Sequence, residues 1–206
     1  MRGVSFFFKN FTNLISFLCP FLKKIPIKIL PMQIENMVSV VSRSGRHLQR
    51  YDSGGYRLVV GCIPYRYKEQ SNSIDKTLIE DLEVLVITSQ NGQSMLFPKG
   101  GWDIDESMEQ AAARETLEEA GVTGNIEREL GKWRYMSKRG SIIHWGSMFP
   151  LLVDQEFDCW PEKNIRERRW ITVDEARQEF KNGWMREALD EFVRRKQLKE
   201  NNTSNE

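Results

Sequence analysis

Residues 100–122 read GGWDIDESMEQAAARETLEEAGV, and this stretch carries the pattern that decides the fold. Ser107 followed three residues later by Gln110 forms a capping box, which marks the start of a helix. Gly121 stands where a residue in the left-handed conformation ends a helix. The stretch therefore predicts a helix of about three to four turns that begins and ends within the quoted residues.

The predicted helix has an apolar side and an acidic side. At about 100° per residue, the apolar side carries Ala113, Thr116, Leu117 and Ala120. The other arc carries Glu115, Glu118 and Glu119. These like charges repel one another and lie near the negative end of the helix dipole. A solvated acidic face is one interpretation. Because Arg114 neutralises only part of the charge, bound divalent cations are the other.

The scarcity of soft ligands limits the kind of metal that such a helix can hold. His47 and His144 are the only histidines, and the three cysteines are widely spaced without a Cys-x-x-Cys pair. A metal centre must therefore rest mainly on carboxylate oxygens, which suit hard ions such as Mg²⁺ or Mn²⁺ rather than zinc. The cysteine pattern also predicts no disulfide framework and fits a reducing compartment.

The length and charge of the chain suit one catalytic domain with a short appendage. Its 206 residues are too few for two average domains of about 100–200 residues each. Thirty basic and 29 acidic side chains nearly cancel, so no global field draws the protein toward nucleic acid. A nucleic-acid binder that uses the basic N-terminal stretch is a rival hypothesis, but that stretch shows no recognised binding motif. We therefore expect no nucleic-acid partner.

Residues 1–32 differ in composition from the rest of the chain. The first 31 residues contain no acidic side chain and are rich in Phe, Leu and Ile with scattered Lys, Ser and Thr. This composition predicts an organellar transit segment for a chloroplast or mitochondrion. A membrane anchor is less favoured because polar residues and Pro20 interrupt the apolar run, so we expect no stable membrane insertion. A loosely packed extension is the third interpretation, and the protein would then be cytoplasmic.

The remaining residues predict an α/β domain over residues 56–197. A polar, basic approach segment (33–55) precedes it, and a frayed tail (198–206) follows. The predicted strands, rich in β-branched and aromatic residues, are Tyr56–Tyr67, Leu82–Ser89, Met95–Phe97, Ile126–Tyr135 and Ile142–Val153. Two further helices are predicted at Val173–Lys181 and Trp184–Lys199. This order of elements predicts a mixed sheet with helices packed on its faces.

The spacing of the helix residues resembles the Nudix box, G-x5-E-x7-R-E-U-x-E-E-x-G-U, where U is aliphatic. Gly100, Glu106 and Arg114 stand at the required intervals, and RETLEEAGV completes the box at Val122. Thr116 alone departs, in a place where an aliphatic residue is usual. Because Thr116 lies on the predicted core side, the departure concerns packing and not the carboxylates. The resemblance implies the Nudix α/β/α sandwich with a mixed sheet and a catalytic loop-helix-loop.

The resemblance also implies a reaction, which is the hydrolysis of a phosphoanhydride bond with Mg²⁺ or Mn²⁺. It implies that Glu115 and Glu119 ligate the metal, while Glu118 either ligates a further ion or acts as the catalytic base. Arg114 is expected to pair with a carboxylate and fix its orientation, with Glu106 as a candidate partner. A plain surface ion pair is the alternative for Arg114.

The residues just before the helix are candidates for phosphate binding. Gly100 and Gly101 allow the backbone to approach a phosphate or metal closely, and Lys99 can offset phosphate charge. A simple Gly-Gly turn is the alternative.

Stretches outside the box indicate an anionic polyphosphate substrate. FPKGGW (97–102) and WPEKNIRERRW (160–170) are similar to plant Nudix hydrolases related to diadenosine polyphosphate and diphosphoinositol polyphosphate hydrolases. Arg57, Arg139 and Arg166 stand where those relatives carry basic residues around a polyphosphate, although solvated surface charge is an alternative for each.

The two substrate classes need different surroundings. A diadenosine polyphosphate needs an aromatic slot, for which Trp133, Trp145 and Trp160 are candidates unless they belong to the core. A diphosphoinositol polyphosphate needs more cations and no stacking. Nucleotide-sugar or dinucleotide cleavage, and a Nudix-fold binding module without catalysis, are further alternatives. The sequence carries no indication of the oligomeric state.

Overall fold

The computed structural model describes residues 43, 45–68, 79–137 and 142–203, which belong to a unit that spans Ser42–Glu206. The predicted transit segment (1–32), the first part of the approach segment and Arg139 lie outside the described residues.

One mixed sheet forms the middle of the domain. Its eight strands are β1 (Arg57–Tyr67), β2 (Leu82–Thr88), β3 (Met95–Leu96), β4 (Lys99–Gly101), β5 (Val122–Ile126), β6 (Gly131–Met136), β7 (Ile143–Glu156) and β8 (Arg168–Thr172). The order along the sheet is β3-β2-β1-β7-β5, while β4 also pairs with β1, β6 with β7, and β8 with β2. β1 and β7 run parallel, whereas the other pairs are antiparallel. The mixed sheet predicted from the order of elements is confirmed.

In the described part of the chain, three helices cover the sheet: α1 (Met108–Ala120), α2 (Val173–Glu179) and α3 (Gly183–Thr203). Helix α1 begins after the Ser107 cap, where both bonds of the predicted capping box with Gln110 form. It ends at Gly121, whose φ of 65° is left-handed and whose N–H donates to the Leu117 carbonyl. The predicted helix bounds are therefore confirmed.

Successive residues of β1 pack on opposite faces of the sheet, as the alternation of a strand requires. Val60 and Cys62 are buried with Ala111 and Ala112 of α1. Ile63 and Tyr65 belong to the larger cluster, which also holds the apolar residues of α2 and α3. The helices thus lie on both faces, which is the α/β/α arrangement that the sequence predicted.

The predicted strand Ile126–Tyr135 was wrong in its bounds, because the chain forms β5 and β6 with a loop between them. Backbone N–H groups at both ends of this loop still donate to β7: Glu127 donates to Pro150 and Leu130 donates to Met148. Arg195 of α3 donates to the loop carbonyls of Glu129 (2.8 Å) and Leu130 (2.6 Å). These contacts stabilise the loop between β5 and β6, which the local sequence does not indicate.

Three further differences concern short or terminal elements. The Gly-Gly pair lies in β4, which pairs with Val59–Gly61 of β1, and not in a simple turn. Strand β8 was not predicted, although its register with β2 is regular from Glu83 to Ile87. Helix α3 continues to Thr203, past the predicted end at Lys199. None of the helices in the described ranges is both long and apolar enough to span a membrane.

Candidate active site

Arg114 forms a clamp that joins helix α1 to the loop before it. Its Nε and Nη2 atoms donate to the two carboxylate oxygens of Glu106, at 3.0 and 2.7 Å. Nη2 also donates to the Gly101 carbonyl at 3.0 Å, and Nη1 donates to Glu115 at 2.7 Å. The predicted pairing of Arg114 with Glu106 is therefore present in bidentate form, and it orients Glu115 as well.

Glu115 lies directly over the backbone of β4. A Cβ atom added to Gly100 would overlap the Glu115 carboxylate group. Only glycine therefore fits at this position while Glu115 keeps its place, since glycine lacks a side chain. Burial raises the pKa of Glu115, although the charges of Arg114, Arg57 and Lys99 favour the ionised form.

Glu119 is held between the backbone of Lys99 and the side chain of Arg166. The N–H group of Lys99 donates to Oε2 of Glu119 at 2.8 Å, and Nη2 of Arg166 donates to Oε1. Arg166 also donates to Glu162 (2.6 Å) and to the Thr88 carbonyl (3.0 Å). Burial raises the pKa of Glu119 to about 7, against the opposing charges of Lys99 and Arg166.

Glu118 lies on the buried side of α1, under the segment that follows β7. It is 3% exposed, and its Oε1 lies 3.6 Å from Nη1 of Arg114. The backbone N–H of Glu162 donates to the Glu118 carbonyl at 3.1 Å. The acidic arc of the helix thus faces protein, which excludes the interpretation as a solvated acidic surface.

The face of α1 that packs in the core differs from the predicted one. Thr116 is fully buried as expected, and its hydroxyl donates to the Ala112 carbonyl at 2.7 Å. Ala113 and Leu117 are only half-buried, whereas Ala111 and Ala112 are fully buried. The buried side of α1 is therefore rotated from the predicted apolar side. It includes Glu118 and Glu119 of the acidic arc.

Basic side chains lie on the side of β4 opposite to Glu115. Arg57 and His144 are directly paired residues of β1 and β7, and His144 is paired with Tyr135 of β6, so the three side chains share one face. His144 is buried, and burial together with the charges of Arg57, Lys99 and Arg46 lowers its pKa. Burial also lowers the pKa of Lys99, which the nearby charge of Glu119 opposes. This positively charged face adjoins the carboxylates of α1.

Sequence reasoning found the residues of the box and missed several of their partners. Gln49 accepts a hydrogen bond from Nε of Arg57 at 2.5 Å, and Glu162 holds Arg166. Gln49 lies outside the quoted motifs, and Glu162 lies within the stretch 160–170 but was given no role there. Each reaches the site through a nearby arginine, Arg57 or Arg166. His144 was considered only as a rare soft ligand, although its pairing with Arg57 follows from the parallel register.

The tryptophans provide little open aromatic surface near the site. Arginine guanidinium groups cover the faces of Trp102, Trp160 and Trp170, and Tyr135 stacks on Trp184 at 4.5 Å between ring centroids. Trp133 packs against the larger core cluster, and Trp145 is half-buried. The prediction that Trp160 could stack on an adenine is weakened by the cover of Arg168 at 4.1 Å.

The three glutamates of α1 supply the kind of donors that a hard divalent ion requires. They are carboxylates on one arc, and burial raises the pKa of two of them, so a bound divalent ion would favour their ionised forms. Within the residues described, no group of three His, Cys, Asp or Glu side chains is already arranged as a metal cage. Arg114 and Arg166 contact these carboxylates instead. The donor chemistry fits a metal, and binding requires these ion pairs to rearrange.

Comparison with known proteins agrees with this geometry. A family model described as the NUDIX domain matches residues 56–192. Nudix hydrolase 4 of Arabidopsis thaliana is 57% identical over 204 residues, which cover 98% of this chain and 97% of that relative. In the same plant, Nudix hydrolase 21, chloroplastic, is 51% identical (94% of this chain and 98% of the relative). Nudix hydrolase 18, mitochondrial, is 55% identical (79% and 90%).

Two more distant likenesses were also found. Diphosphoinositol polyphosphate phosphohydrolase 2 of Rattus norvegicus is 30% identical over 61% of this chain and 64% of that relative. The crystal structure of the C. elegans Ap4A hydrolase covers 67% of this chain and 96% of that chain, with a TM-score of 0.51 and 21% identity. At 21% identity, the likeness to the C. elegans structure shows a shared fold alone.

The sandwich and the clamped glutamate helix define a class of hydrolase that acts on phosphoanhydride bonds. The chain belongs to the Nudix family and is a Nudix hydrolase. Divalent metal ions are the general cofactors of this family. Several close relatives carry chloroplastic or mitochondrial names.

Proposed function

We propose that this protein hydrolyses the phosphoanhydride bond of a highly anionic polyphosphorylated small molecule, with a diphosphoinositol polyphosphate favoured over a diadenosine polyphosphate. Mg²⁺ or Mn²⁺ is the proposed cofactor. Glu115 and Glu119 are the proposed ligands, and Glu118 either holds a further ion or accepts the proton of the attacking water. Arg114 fixes the orientation of Glu115.

The observation that carries this proposal is the meeting of buried carboxylates with cations on the two sides of β4. Glu115 and Glu119 lie against the backbone of Lys99 and Gly100. The positive charge of Arg57 acts on Glu115, and that of Arg166 acts on Glu119. A polyphosphate requires both positive charge and a place for a divalent ion, and this arrangement offers both.

Each residue has a definite task in the proposed reaction. A divalent ion held by the glutamates would neutralise charge on the phosphate oxygens and lower the pKa of a bound water. Arg57, Lys99 and Arg166 bind and orient the phosphate chain, which fixes the reacting phosphorus in line with the water. Gly100 and Gly101 let the phosphates approach the backbone of β4. Residue Arg139, also proposed to bind substrate, lies outside the described part of the chain.

The choice between substrates rests on the three tryptophans that were candidates for an aromatic slot. The guanidinium of Arg168 lies over the ring of Trp160, Trp133 packs against the core, and Trp145 is half-buried, so none of them offers a freely exposed ring for an adenine. The 30% identity to a diphosphoinositol polyphosphate phosphohydrolase supports the same choice.

A product-resolved activity screen tests the proposal. The purified chain is incubated with diphosphoinositol phosphates, diadenosine polyphosphates, nucleotide sugars and dinucleotide cofactors, with and without Mg²⁺ or Mn²⁺. We expect metal-dependent release of phosphate from diphosphoinositol phosphates with the highest kcat/KM. Preference for a nucleotide sugar or a dinucleotide would overturn the substrate assignment. Tight binding without turnover of any compound would instead indicate a binding module.

We further propose that residues 1–32 direct the protein to a chloroplast or mitochondrion. The acid-free, hydroxylated composition supports this proposal, and so do the organellar names of close relatives. A fluorescent protein fused behind residues 1–50 should enter one of these organelles. If the fusion stays in the cytosol, the proposal is wrong.

A further inference from the structure

A segment before the matched family domain forms one wall of the site. The NUDIX match begins at residue 56, yet residues 48–50 pair with the backbone that follows β4. Arg50 N–H donates to the Trp102 carbonyl at 2.8 Å, and Ile104 N–H donates to the Leu48 carbonyl at 2.9 Å. The segment is therefore attached to the loop that leads into α1.

Gln49 is the residue of this segment that contacts the cationic face. Its Oε1 accepts the hydrogen bond from Nε of Arg57 at 2.5 Å. A Cβ atom added to Gly101 would overlap the Gln49 amide and would lie 2.8 Å from Nη2 of Arg57. The absence of a side chain at Gly101 thus makes room for both groups.

Within the described residues, Arg57 forms no ion pair, and its side chain forms a hydrogen bond only with Gln49. Its charge nevertheless acts on Glu115, Lys99 and His144, so the guanidinium lies among the groups of the site. Because its partner is a neutral amide, the remaining N–H donors of the guanidinium are left for a ligand.

A cavity of about 270 Å³ lies between this segment and the catalytic helix. On one side its walls include His47, Leu48 and Gln49, and on the other Arg114 and Glu115. Arg43, Asp103 and Asp105 also line the cavity, which joins the Gln49 segment to a proposed metal ligand. Arg57 does not line it and is linked to it through Gln49.

We infer that Gln49 is a positioning residue, which holds the guanidinium of Arg57 toward a substrate phosphate beside Glu115. The inference rests on the proposed function, because it takes a polyphosphate as the ligand. Arg57 makes the contact with phosphate and Gln49 acts only through Arg57. Residues 48–50 are accordingly part of the enzyme's active site, although they precede the family domain.

Calorimetric binding of methylenediphosphonate in the presence of Mg²⁺ tests this inference, because the P–C–P link of this probe is not hydrolysed. Gln49→Ala should weaken binding roughly fivefold to tenfold, since an unrestrained arginine must be ordered on binding. Gln49→Glu should also weaken binding, because the new carboxylate keeps the geometry but neutralises Arg57. In the Arg57→Ala background, Gln49→Ala should have no further effect.

Arg50→Ala is the matched control, because Arg50 anchors the same segment to the carbonyls of Asp103 and Ile104 without touching Arg57. Equal weakening by Arg50→Ala and Gln49→Ala would show a general loosening of the segment and overturn the inference. Three other results would also overturn the inference. They are wild-type affinity of the Gln49→Ala variant, a full additional loss when Gln49→Ala is added to Arg57→Ala, and no binding by the wild type.

Steady-state kinetics test this inference and the proposed function separately. With a hydrolysed substrate, Gln49→Ala should raise KM and leave kcat within about twofold, as expected for loss of binding shared by ground state and transition state. If the wild type binds the probe in a Gln49-dependent manner but hydrolyses nothing, the proposed function fails and the positioning role stands.

Discussion

Glu119 is the residue whose charge depends most clearly on its surroundings. Burial raises its pKa to about 7, while Lys99 and Arg166 favour the ionised form. Removing its charge therefore removes a proposed metal ligand without leaving an unpaired buried carboxylate. The carbonyl oxygen of glutamine can keep one of these two hydrogen bonds, from the Lys99 backbone or from Arg166, while its NH2 group replaces the other oxygen.

We expect Glu119→Gln to lower kcat by about 100-fold or more, because a proposed metal ligand is lost. The thermal midpoint should stay near that of the wild type. Activity assays and thermal unfolding in the presence of Mg²⁺ measure the two effects. Glu109→Gln is the control, since Glu109 is an exposed glutamate in the first turn of the same helix. Full turnover by Glu119→Gln would contradict its assignment.

Two glycines should respond differently to alanine substitution. A Cβ atom at Gly100 meets the end of the Glu115 side chain, which can move aside. A Cβ atom at Gly124 meets the backbone carbonyl of Leu152, which is fixed in β7. Gly100→Ala should therefore lose activity by about tenfold or more while its stability changes little. Gly124→Ala should lose about 2 kcal/mol of stability.

Denaturant titration and steady-state kinetics on both variants check this contrast. The prediction fails if Gly100→Ala unfolds as readily as Gly124→Ala, or if Gly100→Ala keeps full kcat.

The site residues that sequence could predict are those whose roles depend on local spacing. Glu106, Arg114 and the three glutamates follow from positions along one loop and one helix. Arg166 was expected from resemblance alone, and its contact with Glu119 depends on the segment that crosses the end of α1. Gln49 and Glu162 were missed because each acts on the site through an arginine only eight or four residues further along the chain, and a single sequence does not show which nearby polar side chain makes such a contact.

At the scale of elements, the C-terminal end of α1 is stabilised by Arg168 of β8. Arg168 donates to the carbonyls of Ala120 (2.9 Å) and Gly121 (3.1 Å), and its guanidinium lies over Trp160. These contacts place a positive charge at the negative end of the helix dipole, where the sequence predicted that something positive was needed. Arg168 and Arg166 therefore supply part of the positive charge that the sequence analysis assigned to Arg114 and bound divalent cations.

We expect Arg168→Ala to destabilise the protein by about 2 kcal/mol, because the carbonyls at the end of α1 lose their donors. Urea unfolding measures the change. Arg169→Ala is the control, since the neighbouring Arg169 is exposed and pairs with Glu179 at the surface; its effect should be below about 0.5 kcal/mol. Equal effects of the two substitutions would contradict this role of Arg168.

The elements that sequence missed are short or depend on a partner strand. β4 contains two glycines and has no strand pattern of its own, so its hydrogen bonds with β1 determine its conformation. β8 reads RRWIT, in which Arg168 binds the Glu156 carboxylate and the carbonyls at the end of α1, while Arg169 is exposed and pairs with Glu179, so the strand has no clear apolar pattern. Long apolar strands such as β1 and β2 were predicted nearly to the residue, because their core positions dominate their composition.

At the scale of the whole domain, an ionic cluster joins α3 to the sheet. Lys196 of α3 contacts the Glu127 carboxylate at 2.5 Å and lies over the ring of Tyr65 in β1. Lys199 adds a contact to Glu127 at 2.9 Å. Burial raises the pKa of Glu127, but hydrogen bonds from Lys196, Tyr65 and Lys199 outweigh it and hold the pKa at about 2.

A lowered carboxyl pKa contributes stability above the unfolded value, and that stability is lost as pH falls through the folded value. Glu127→Gln should therefore lower stability by about 1–2 kcal/mol at pH 7. The difference from the wild type should be constant down to about pH 5 and should shrink toward pH 2. Thermal unfolding across this range measures it, with Glu187→Gln on exposed α3 surface as control. A difference that does not depend on pH would contradict the ionic role.

During synthesis, β1 can pair with β7, and Glu119 can contact Arg166, only after the later segment of each pair has been made. Contacts between distant parts of a chain form late because the intervening loop must first be closed. A nascent chain that ends at Glu156 already contains the whole Nudix box but lacks the arginines that bind Glu119 and the end of α1. The contacts that hold Glu119 and the end of α1 can therefore form only after Arg166 and Arg168 have left the ribosome, long after the Nudix box has been translated.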